Sequence, residues 1–211
     1  KLYGTTEQGG ANGQGVLYEY DPGTFTYQEL YDFDGTDGGG PNGALLPDAG
    51  ILYGTARQGG SNGVGVLYSY DPGADTYTSR HDFDFSDGAN PESDLALISG
   101  KLYGTTPQGG NSFQGVLFEY DLGTNAYQVL LNMQQVNASN PQGGLLVSGG
   151  LLYGLTSSPG KVYSYEISTA TFTPLVNFLG ADQGRAPRGR FLEYAGKLYG
   201  TTEYGGLYDG G

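Results

Sequence analysis

The residues that most often build catalytic and metal centres are scarce in this sequence. It contains no cysteine and a single histidine, His81. Neither a disulfide nor a thiolate metal site can form without cysteine, and one histidine excludes a multi-histidine zinc site. In the repeats described below His81 aligns with Tyr31, Leu131 and Val176, so we interpret it as a packing residue at the end of a strand.

Basic residues and long apolar runs are scarce as well. Nine Lys and Arg residues against 22 Asp and Glu residues give a net charge of −13. A phosphate backbone would repel such a chain, so we expect no nucleic-acid partner. The sequence has no run of about 18 apolar residues, the length that a membrane-spanning helix needs, so we expect no membrane span. Low lysine with abundant glycine, asparagine, threonine and tyrosine resembles the composition of exported proteins.

Repetition is the dominant feature of what remains. A motif of the form L-Y-G-T or L-Y-G-L recurs, and its tyrosines lie 50, 50, 50 and 46 residues apart. Such a period predicts supersecondary units that bury their apolar faces against one another. The copies are 1–50, 51–100, 101–150, 151–196 and a partial copy, 197–211. The first and last residues fall inside the motif, so we expect these copies to be part of a longer array.

Each copy contains short apolar runs separated by turn signals. In the first copy the runs are 2–6, 15–20, 25–33 and 44–46. Between the second and third runs, Pro22 is preset for the second turn position and Gly23 tolerates a positive φ at the third. A four-stranded unit of about 50 residues has the size of a propeller blade, about twice a β-solenoid coil. We therefore predict an all-β fold, a β-propeller built from four-stranded blades.

These motifs resemble a known repeat family. The pattern [KIL]-L-Y-G-T-[TA]-x-x-G-G, followed by G-V-L-[YF]-x-Y-D and D-G-x-N-P-like loops, is similar to the GLOVER or HAF-type extracellular repeats of bacteria. The resemblance covers essentially the whole chain and implies a propeller-like fold and an extracellular or cell-surface location, without implying an activity. The fourth copy departs from the pattern, with Leu155 in place of threonine and Ser157-Ser158-Pro159-Gly160 in place of x-x-G-G.

Acidic loops in the first two copies resemble calcium loops. Both read D-x-D-x-x-D-G and place several oxygen ligands around a tight glycine turn. The candidate metal ligands are Asp32, Asp34, Asp37, Asp82, Asp84 and Asp87. The third copy has Asn132, Gln134 and Asn137 instead, and the fourth has Asn177, Leu179 and Asp182. Aspartate and asparagine also cap turns through bonds to the backbone. Both a structural turn and a calcium site remain open, and calcium is the only cofactor that the sequence suggests.

The Gln-Gly-Gly loops are the second candidate site. In a propeller they would collect on one face, where amides beside exposed tyrosines suit a glycan, whose hydroxyls need paired donors and acceptors. The candidate ligand-binding residues are Gln8, Asn12, Gln58, Asn62, Gln108 and Asn111. The alternative is that glycine and asparagine serve turns that require a positive φ.

Two short motifs of catalytic proteins occur in the loops. Residues 59–63 fit G-x-S-x-G, but a nucleophile elbow requires a strand before the serine, a helix after it and a histidine base. Residues 38–43 fit G-x-G-x-x-G, yet Pro41 and the following strand exclude the helix N-terminus that binds a pyrophosphate. We interpret both as loops and predict that the protein is not an enzyme.

Three functions remain open. We predict a non-enzymatic extracellular module for structure or interaction, whose partners are other proteins or copies of itself. The alternative is a glycan-binding propeller lectin, and a second alternative is a propeller glycosidase or lyase, which needs a converging acidic pair.

Counting strands gives three in the first unit, four in each of the next three and two at the C-terminus. Run 191–194 is a candidate to complete the first unit, but 198–202 then has no place in a closed ring. We therefore expect the terminal strands to be completed by further repeats or by edge pairing with a neighbouring chain.

Overall fold

The computed structural model describes residues 1–178 and 184–205, and in these residues the protein is all-β. Eighteen strands form five antiparallel sheets, and the only helical segment described is a 3-10 turn, Met133–Val136. No helix in the described part of the chain is long and apolar enough to cross a membrane. The predicted fold class is confirmed.

The strands follow the repeat. The first sheet contains β1 (Leu2–Thr6), β2 (Val16–Asp21) and β3 (Thr26–Asp32). The second contains β4 (Gly39–Pro41), β5 (Leu46–Asp48), β6 (Ile51–Gln58), β7 (Val66–Asp71) and β8 (Thr76–Asp82). The third contains β9 (Ala96–Ile98), β10 (Lys101–Thr106), β11 (Val116–Asp121) and β12 (Ala126–Asn132). The fourth contains β13 (Ser139–Ser148), β14 (Leu151–Ser158), β15 (Gly160–Glu166) and β16 (Thr171–Asn177). The fifth contains β17 (Arg185–Tyr194) and β18 (Lys197–Tyr204).

Each four-stranded sheet takes its first strand from the preceding sequence copy. In the third sheet β10 lies between β9 and β11, and in the fourth β14 lies between β13 and β15. In the second sheet this first strand is interrupted, and its two parts, β4 and β5, both pair with β6. We predict that every copy places its L-Y-G-T strand between the short strand before it and the V-L-Y strand after it, and this is confirmed for β6, β10 and β14. It is not found at the two ends of the described chain, where β1 pairs only with β2 and β18 pairs only with β17.

The core lies between sheets rather than within one. All side chains from Val66 to Tyr70 are buried, because both faces of β7 are covered, and this run therefore does not alternate between apolar and polar residues. Three clusters fill successive junctions, with Leu17, Phe33 and Tyr68 in the first, Leu67, Phe83 and Phe118 in the second, and Leu117, Met133 and Tyr163 in the third. Burial of one such side chain contributes about 1.5–3 kcal/mol, so each sheet is stabilised mainly by its neighbours.

Glycine in the L-Y-G-T motif leaves room for an aromatic ring. A Cβ on Gly54 would lie 2.5 Å from the hydroxyl oxygen of Tyr68, and the ring of Phe118 takes the same place beside Gly104. The prediction that a ring excludes Cβ at this motif position is confirmed in the first four copies. At Gly200 the contact is looser, because the Phe191 ring would lie 3.1 Å from a Cβ.

The two ends of the array stay separate. The sheets contain three, four, four, four and two strands when β4 and β5 are taken as one interrupted strand, as predicted. Run 191–194 lies in β17 and pairs with β18, so it does not complete the first sheet. Within the described residues β1 pairs only with β2, and β18 pairs only with β17.

Candidate functional site

The loops at one end of the sheets form a common surface. Because neighbouring strands are antiparallel, the loop that follows an L-Y-G-T strand and the loop that follows the third strand of a repeat leave the sheets at the same end. We call this surface the loop face, and its loops are 7–15, 33–38, 59–65, 83–88, 107–115 and 133–138. All the predicted ligand and calcium residues of the first three copies lie in these loops or at the adjoining strand ends.

Backbone hydrogen bonds hold the loop face, and they recur from copy to copy. The Gly15 amide donates to the Gly9 carbonyl at 3.0 Å, and the Phe33 amide donates to the Gly15 carbonyl at 3.0 Å. The same two bonds, at the same lengths, hold the loops that end at Gly65 and Gly115. Because Phe33 is fully buried, these bonds fasten each loop to the core.

The first acidic position of the calcium-like pattern also fastens a loop. The Ala11 amide donates to Asp32 Oδ2 at 2.7 Å, and the Asn111 amide donates to Asn132 Oδ1 at 2.8 Å. Asp82 accepts the equivalent bond in the second repeat. Aspartate and asparagine both offer an acceptor oxygen here, which explains why the third copy carries an amide.

The second acidic position closes a local turn. Asp84 Oδ1 accepts hydrogen bonds from the Ser86 amide at 2.7 Å and from the Ser86 hydroxyl at 2.5 Å. Asp34 accepts the same pair from Thr36. The Ser86 hydroxyl, together with the backbone amide, lowers the pKa of the Asp84 carboxyl below its usual range. The turn therefore favours the ionised form of this side chain.

The third acidic position bonds to an aromatic residue at the end of the preceding strand. Asp37 accepts a hydrogen bond from the Tyr31 hydroxyl, and Asp87 Oδ2 lies 2.7 Å from His81 Nε2. The imidazole of His81 stacks on the ring of Tyr127 in the next sheet, with centroids 3.7 Å apart and planes 1° apart. The interpretation of His81 as a packing residue is confirmed.

These acidic side chains serve separate hydrogen bonds rather than one point. In residues 1–178 and 184–205 no group of three His, Asp or Glu side chains is placed to hold a metal ion. Calcium takes about six to eight oxygen ligands, so binding at Asp32, Asp34 and Asp37, or at Asp82, Asp84 and Asp87, would require the loops to rearrange. Two fourth-copy positions, Leu179 and Asp182, lie outside the described residues. Calcium binding stays a prediction.

The predicted amide residues are all exposed on the loop face, but they are not equivalent. Asn62 Nδ2 donates to the Phe83 carbonyl at 3.1 Å, so its side chain supports the loop. Asn111 occupies the position of Ser61, one residue earlier than Asn62. The side chains of Gln8, Asn12, Gln58 and Gln108 have no hydrogen-bond partner among the described residues.

One depression brings two of these amides together. Gln8 and Gln58, with Glu7 and Gln14, line a polar hollow of about 220 Å³ at the junction of the first two sheets. The hollow has no aromatic wall, because its other lining residues are Gly13 and Gly40. The predicted pairing of amides with exposed tyrosines is therefore not found in this depression.

Sequence reasoning missed two exposed phenylalanines on the loop face. Phe85 is 50% exposed and Phe113 is 68% exposed, and their ring centroids lie 6.1 Å apart with planes at 64°. An alignment of the copies reveals both residues, because each replaces a glycine of the preceding copy. Phe85 aligns with Gly35, and Phe113 aligns with Gly63.

The two motifs of catalytic proteins have structural roles. Residues 59–63 lie between β6 and β7, so Ser61 is not on a strand-to-helix elbow, and its hydroxyl donates to Asp82. Of residues 38–43, which we interpreted as a loop, Gly39–Pro41 form β4 and pair with β6. The interpretation as a loop is therefore wrong for Gly39–Pro41. A strand is possible here because Pro41 lies in an interrupted edge strand, where a missing backbone amide is tolerated.

Comparison with known proteins gives the same architecture. A family model described as the Gloeobacter/Verrucomicrobia repeat matches residues 1–161. The crystal structure of TolB from Acinetobacter baumannii is similar with a TM-score of 0.54 and 20% identity, over 82% of this chain and 40% of that chain. The extracellular domain of BT4673, described as part of a one-component system of B. thetaiotaomicron, gives a TM-score of 0.56 and 14% identity, over 82% of this chain and 21% of that chain.

These likenesses concern the fold. Both structures are β-propeller-like, and this chain spans less than half of either one. A search of curated proteins gave no match.

Proposed function

The chain belongs to the Gloeobacter/Verrucomicrobia repeat family, and on that premise we propose that it is a non-enzymatic extracellular β-propeller that binds other molecules through its loop face. The extracellular location is supported by the likeness to an extracellular domain and by the exported type of composition. The narrower GLOVER or HAF-type identity stays a prediction.

One observation carries the proposal: the loop face has a fixed backbone and free side chains. The loop amides are bonded to loop carbonyls and to the core, whereas Gln8, Asn12 and Gln108 keep their amide groups unbonded in the described residues. A ligand that meets such a surface does not have to order it, and this lowers the entropic cost of binding. Loops positioned by a rigid scaffold are the usual place for recognition.

Copies of the chain are the first proposed partner. β1 and β18 each have one side without a strand partner in the described residues, whereas the equivalent strands β6, β10 and β14 are paired on both sides. Between the fourth and fifth sheets, beside β18, a hollow of about 490 Å³ is lined mostly by apolar residues, which include Leu155, Phe191 and Leu198. A strand from a second copy can satisfy the free backbone groups by edge pairing and bury this surface.

Sedimentation velocity over a range of protein concentrations tests this association. We expect the chain to form larger species as its concentration rises, and Leu198→Lys to reduce them because a charge enters the apolar hollow. Leu175→Lys is the matched control, since Leu175 is an exposed leucine of β16. Edge pairing is contradicted if the chain stays monomeric at every concentration, or if Leu198→Lys and Leu175→Lys reduce the larger species to the same extent.

Glycans are the second proposed ligand, favoured by the polar depression around Gln8 and Gln58. Amide groups can donate to one sugar hydroxyl and accept from another, and the depression holds three glutamine side chains. We expect neutral oligosaccharides to bind without being cleaved, with weaker binding after Gln8→Ala or Gln58→Ala. The non-enzymatic proposal would be contradicted if the protein cleaved an oligosaccharide, seen as new reducing ends, and if a single Asp or Glu substitution abolished this cleavage.

A further inference from the structure

The contact between Phe85 and Phe113 is the one exposed aromatic pair on the described loop face. Phe85 lies in the loop after β8, and Phe113 lies in the loop between β10 and β11. The Gly110 amide donates to the Phe85 carbonyl at 2.9 Å, so the two loops are joined by their backbones. This bond fixes the two rings relative to each other at the junction of the second and third sheets.

Neither ring is explained by folding. Phe113 has a φ of 57°, a left-handed conformation that is costly for a bulky residue, and the aligned Gly13 and Gly63 adopt it freely with φ of 74°. Both rings keep half or more of their surface exposed, so they contribute little burial energy. Two glycine positions in neighbouring loops thus carry phenylalanine, and these two phenylalanines touch.

The surroundings of Phe113 are polar and uncharged. Residues 108–115 contain no charged side chain in a chain whose net charge is −13. The side chains of Asn111, Ser112 and Gln114 flank Phe113 in sequence, and none has a hydrogen-bond partner in the part of the chain that the structure describes. In the adjoining loop the carboxylates of Asp84 and Asp87 are already bonded to Ser86 and His81. Free amide and hydroxyl groups beside aromatic rings are suited to a neutral ligand rich in hydroxyls.

We propose that Phe85 and Phe113 form a stacking platform for a neutral carbohydrate, with Asn111, Ser112 and Gln114 as hydrogen-bonding groups for its hydroxyls. The proposal rests on the loop face being a binding surface, and it adds one site that differs from the depression around Gln8 and Gln58. The C–H face of a sugar ring packs against an aromatic face, and the surrounding amides select the orientation of the hydroxyls. A cationic peptide is disfavoured because the loop that carries Phe113, residues 107–115, contains no carboxylate.

The chain itself supplies the test variants. Phe113→Gly introduces the glycine of the first two copies, and Phe85→Gly introduces the glycine of the first copy, Gly35. The fold is therefore expected to persist, and Phe113→Gly also removes a strained φ. The control is Phe25→Asn, which removes an equally unusual phenylalanine, 80% exposed with φ of 57°, from a hairpin turn at the opposite end, where the third copy has Asn125. The probes are immobilised neutral hexasaccharides of glucose, galactose, mannose and N-acetylglucosamine, with an oligo-arginine peptide as a further probe.

We expect at least one hexasaccharide to bind, and each glycine variant to weaken that binding by about tenfold or more. Phe25→Asn is expected to bind as the parent does, and none of the three variants is expected to lower the melting temperature. The proposal is overturned if none of the hexasaccharides binds, if the glycine variants bind as the parent does, or if only the oligo-arginine peptide depends on the rings. Binding that is lost in Gln8→Ala but kept in Phe113→Gly would overturn this site and leave the proposed function intact.

Discussion

At the scale of single residues, the structure shows how strongly the repeat restricts its glycines and acidic side chains. Gly104 accommodates the ring of Phe118, and Leu95 Cδ2 would lie 3.0 Å from a Cβ at this position. Asp84 is held by the hydrogen bonds of its own turn. The motif glycine recurs in every copy, whereas the position of Asp84 is acidic only in the first two copies.

Gly104→Val is expected to destabilise the fold by about 1–3 kcal/mol through overpacking, as measured by urea denaturation. The ring of Phe118 and the side chain of Leu95 would both have to move. Gly200→Val is the matched control, because the same motif position in β18 faces only the Phe191 ring, 3.1 Å from a Cβ. Equal stability losses in the two variants, or no loss at Gly104, would refute the packing.

The lowered pKa of Asp84 makes stability depend on pH. The stabilisation by its ionised form is fully present above the unfolded-state pKa of about 3.9 and is lost as the pH falls through the lower pKa of the folded state. We therefore expect Ser86→Ala, which removes the hydroxyl donor, to be less stable than the parent at pH 6. The difference should narrow in strong acid, once the pH has fallen below the lowered pKa of the folded state and the carboxyl is protonated in both states. A difference that is the same at both pH values would contradict this role.

At the scale of elements, tyrosine hydroxyls join one sheet to the next. Tyr127 in β12 donates to the Asp87 carbonyl at 2.7 Å, and Tyr77 in β8 donates to the Asp37 carbonyl at 2.5 Å. Burial raises the pKa of both tyrosines. The acidic loop of one sheet is therefore bonded to the outermost strand of the following sheet, which couples the loop face to the sheet junction.

Tyr127→Phe is expected to cost about 1 kcal/mol, because the Asp87 carbonyl loses its donor while the stacked ring remains. Tyr27→Phe is the control, since Tyr27 holds the same position in β3, is 59% exposed and has no hydrogen-bond partner for its hydroxyl in the described residues. Thermal unfolding of both variants measures the difference. A loss of stability in Tyr27→Phe together with unchanged stability in Tyr127→Phe would contradict this hydrogen-bonded link between sheets.

The sequence predicts elements better than it predicts sites. The spacing of L-Y-G-T and V-L-Y runs predicts the strands and their order, because each strand pairs with the one next to it along the chain. The contact between Phe85 and Phe113 depends on how closely two sheets approach, and no local pattern encodes that approach. The bond from Asn62 to the Phe83 carbonyl likewise distinguishes a supporting amide from the free amide of Asn12, which holds the same position in the first copy.

At the scale of the whole molecule, the array is a row of sheets that share their cores, with one continuous loop face. In the function that we propose, large side chains in the junctions provide stability, and the free polar groups of the loops provide recognition. The net charge of −13 favours solubility of the exposed surface.

Calcium, if it binds, is expected to act only through the first two repeats, because only these keep three aspartates. Folded-state binding would raise the melting temperature in calcium relative to chelator, and the increase should shrink in the double variant Asp34→Asn, Asp84→Asn. Identical melting curves in calcium and in chelator would remove the calcium prediction.

Amide hydrogen exchange measured by NMR most directly tests the central claim that the loop face is a rigid, preordered surface. The amides of Gly15, Gly65 and Gly115, and those of Phe33, Phe83 and Met133, donate to loop carbonyls at 3.0 Å. We expect all six to exchange far more slowly than amides of an unstructured chain, with protection close to that of the neighbouring strands. Exchange of these amides at unprotected rates, in a protein whose strand amides stay protected, would contradict the claim.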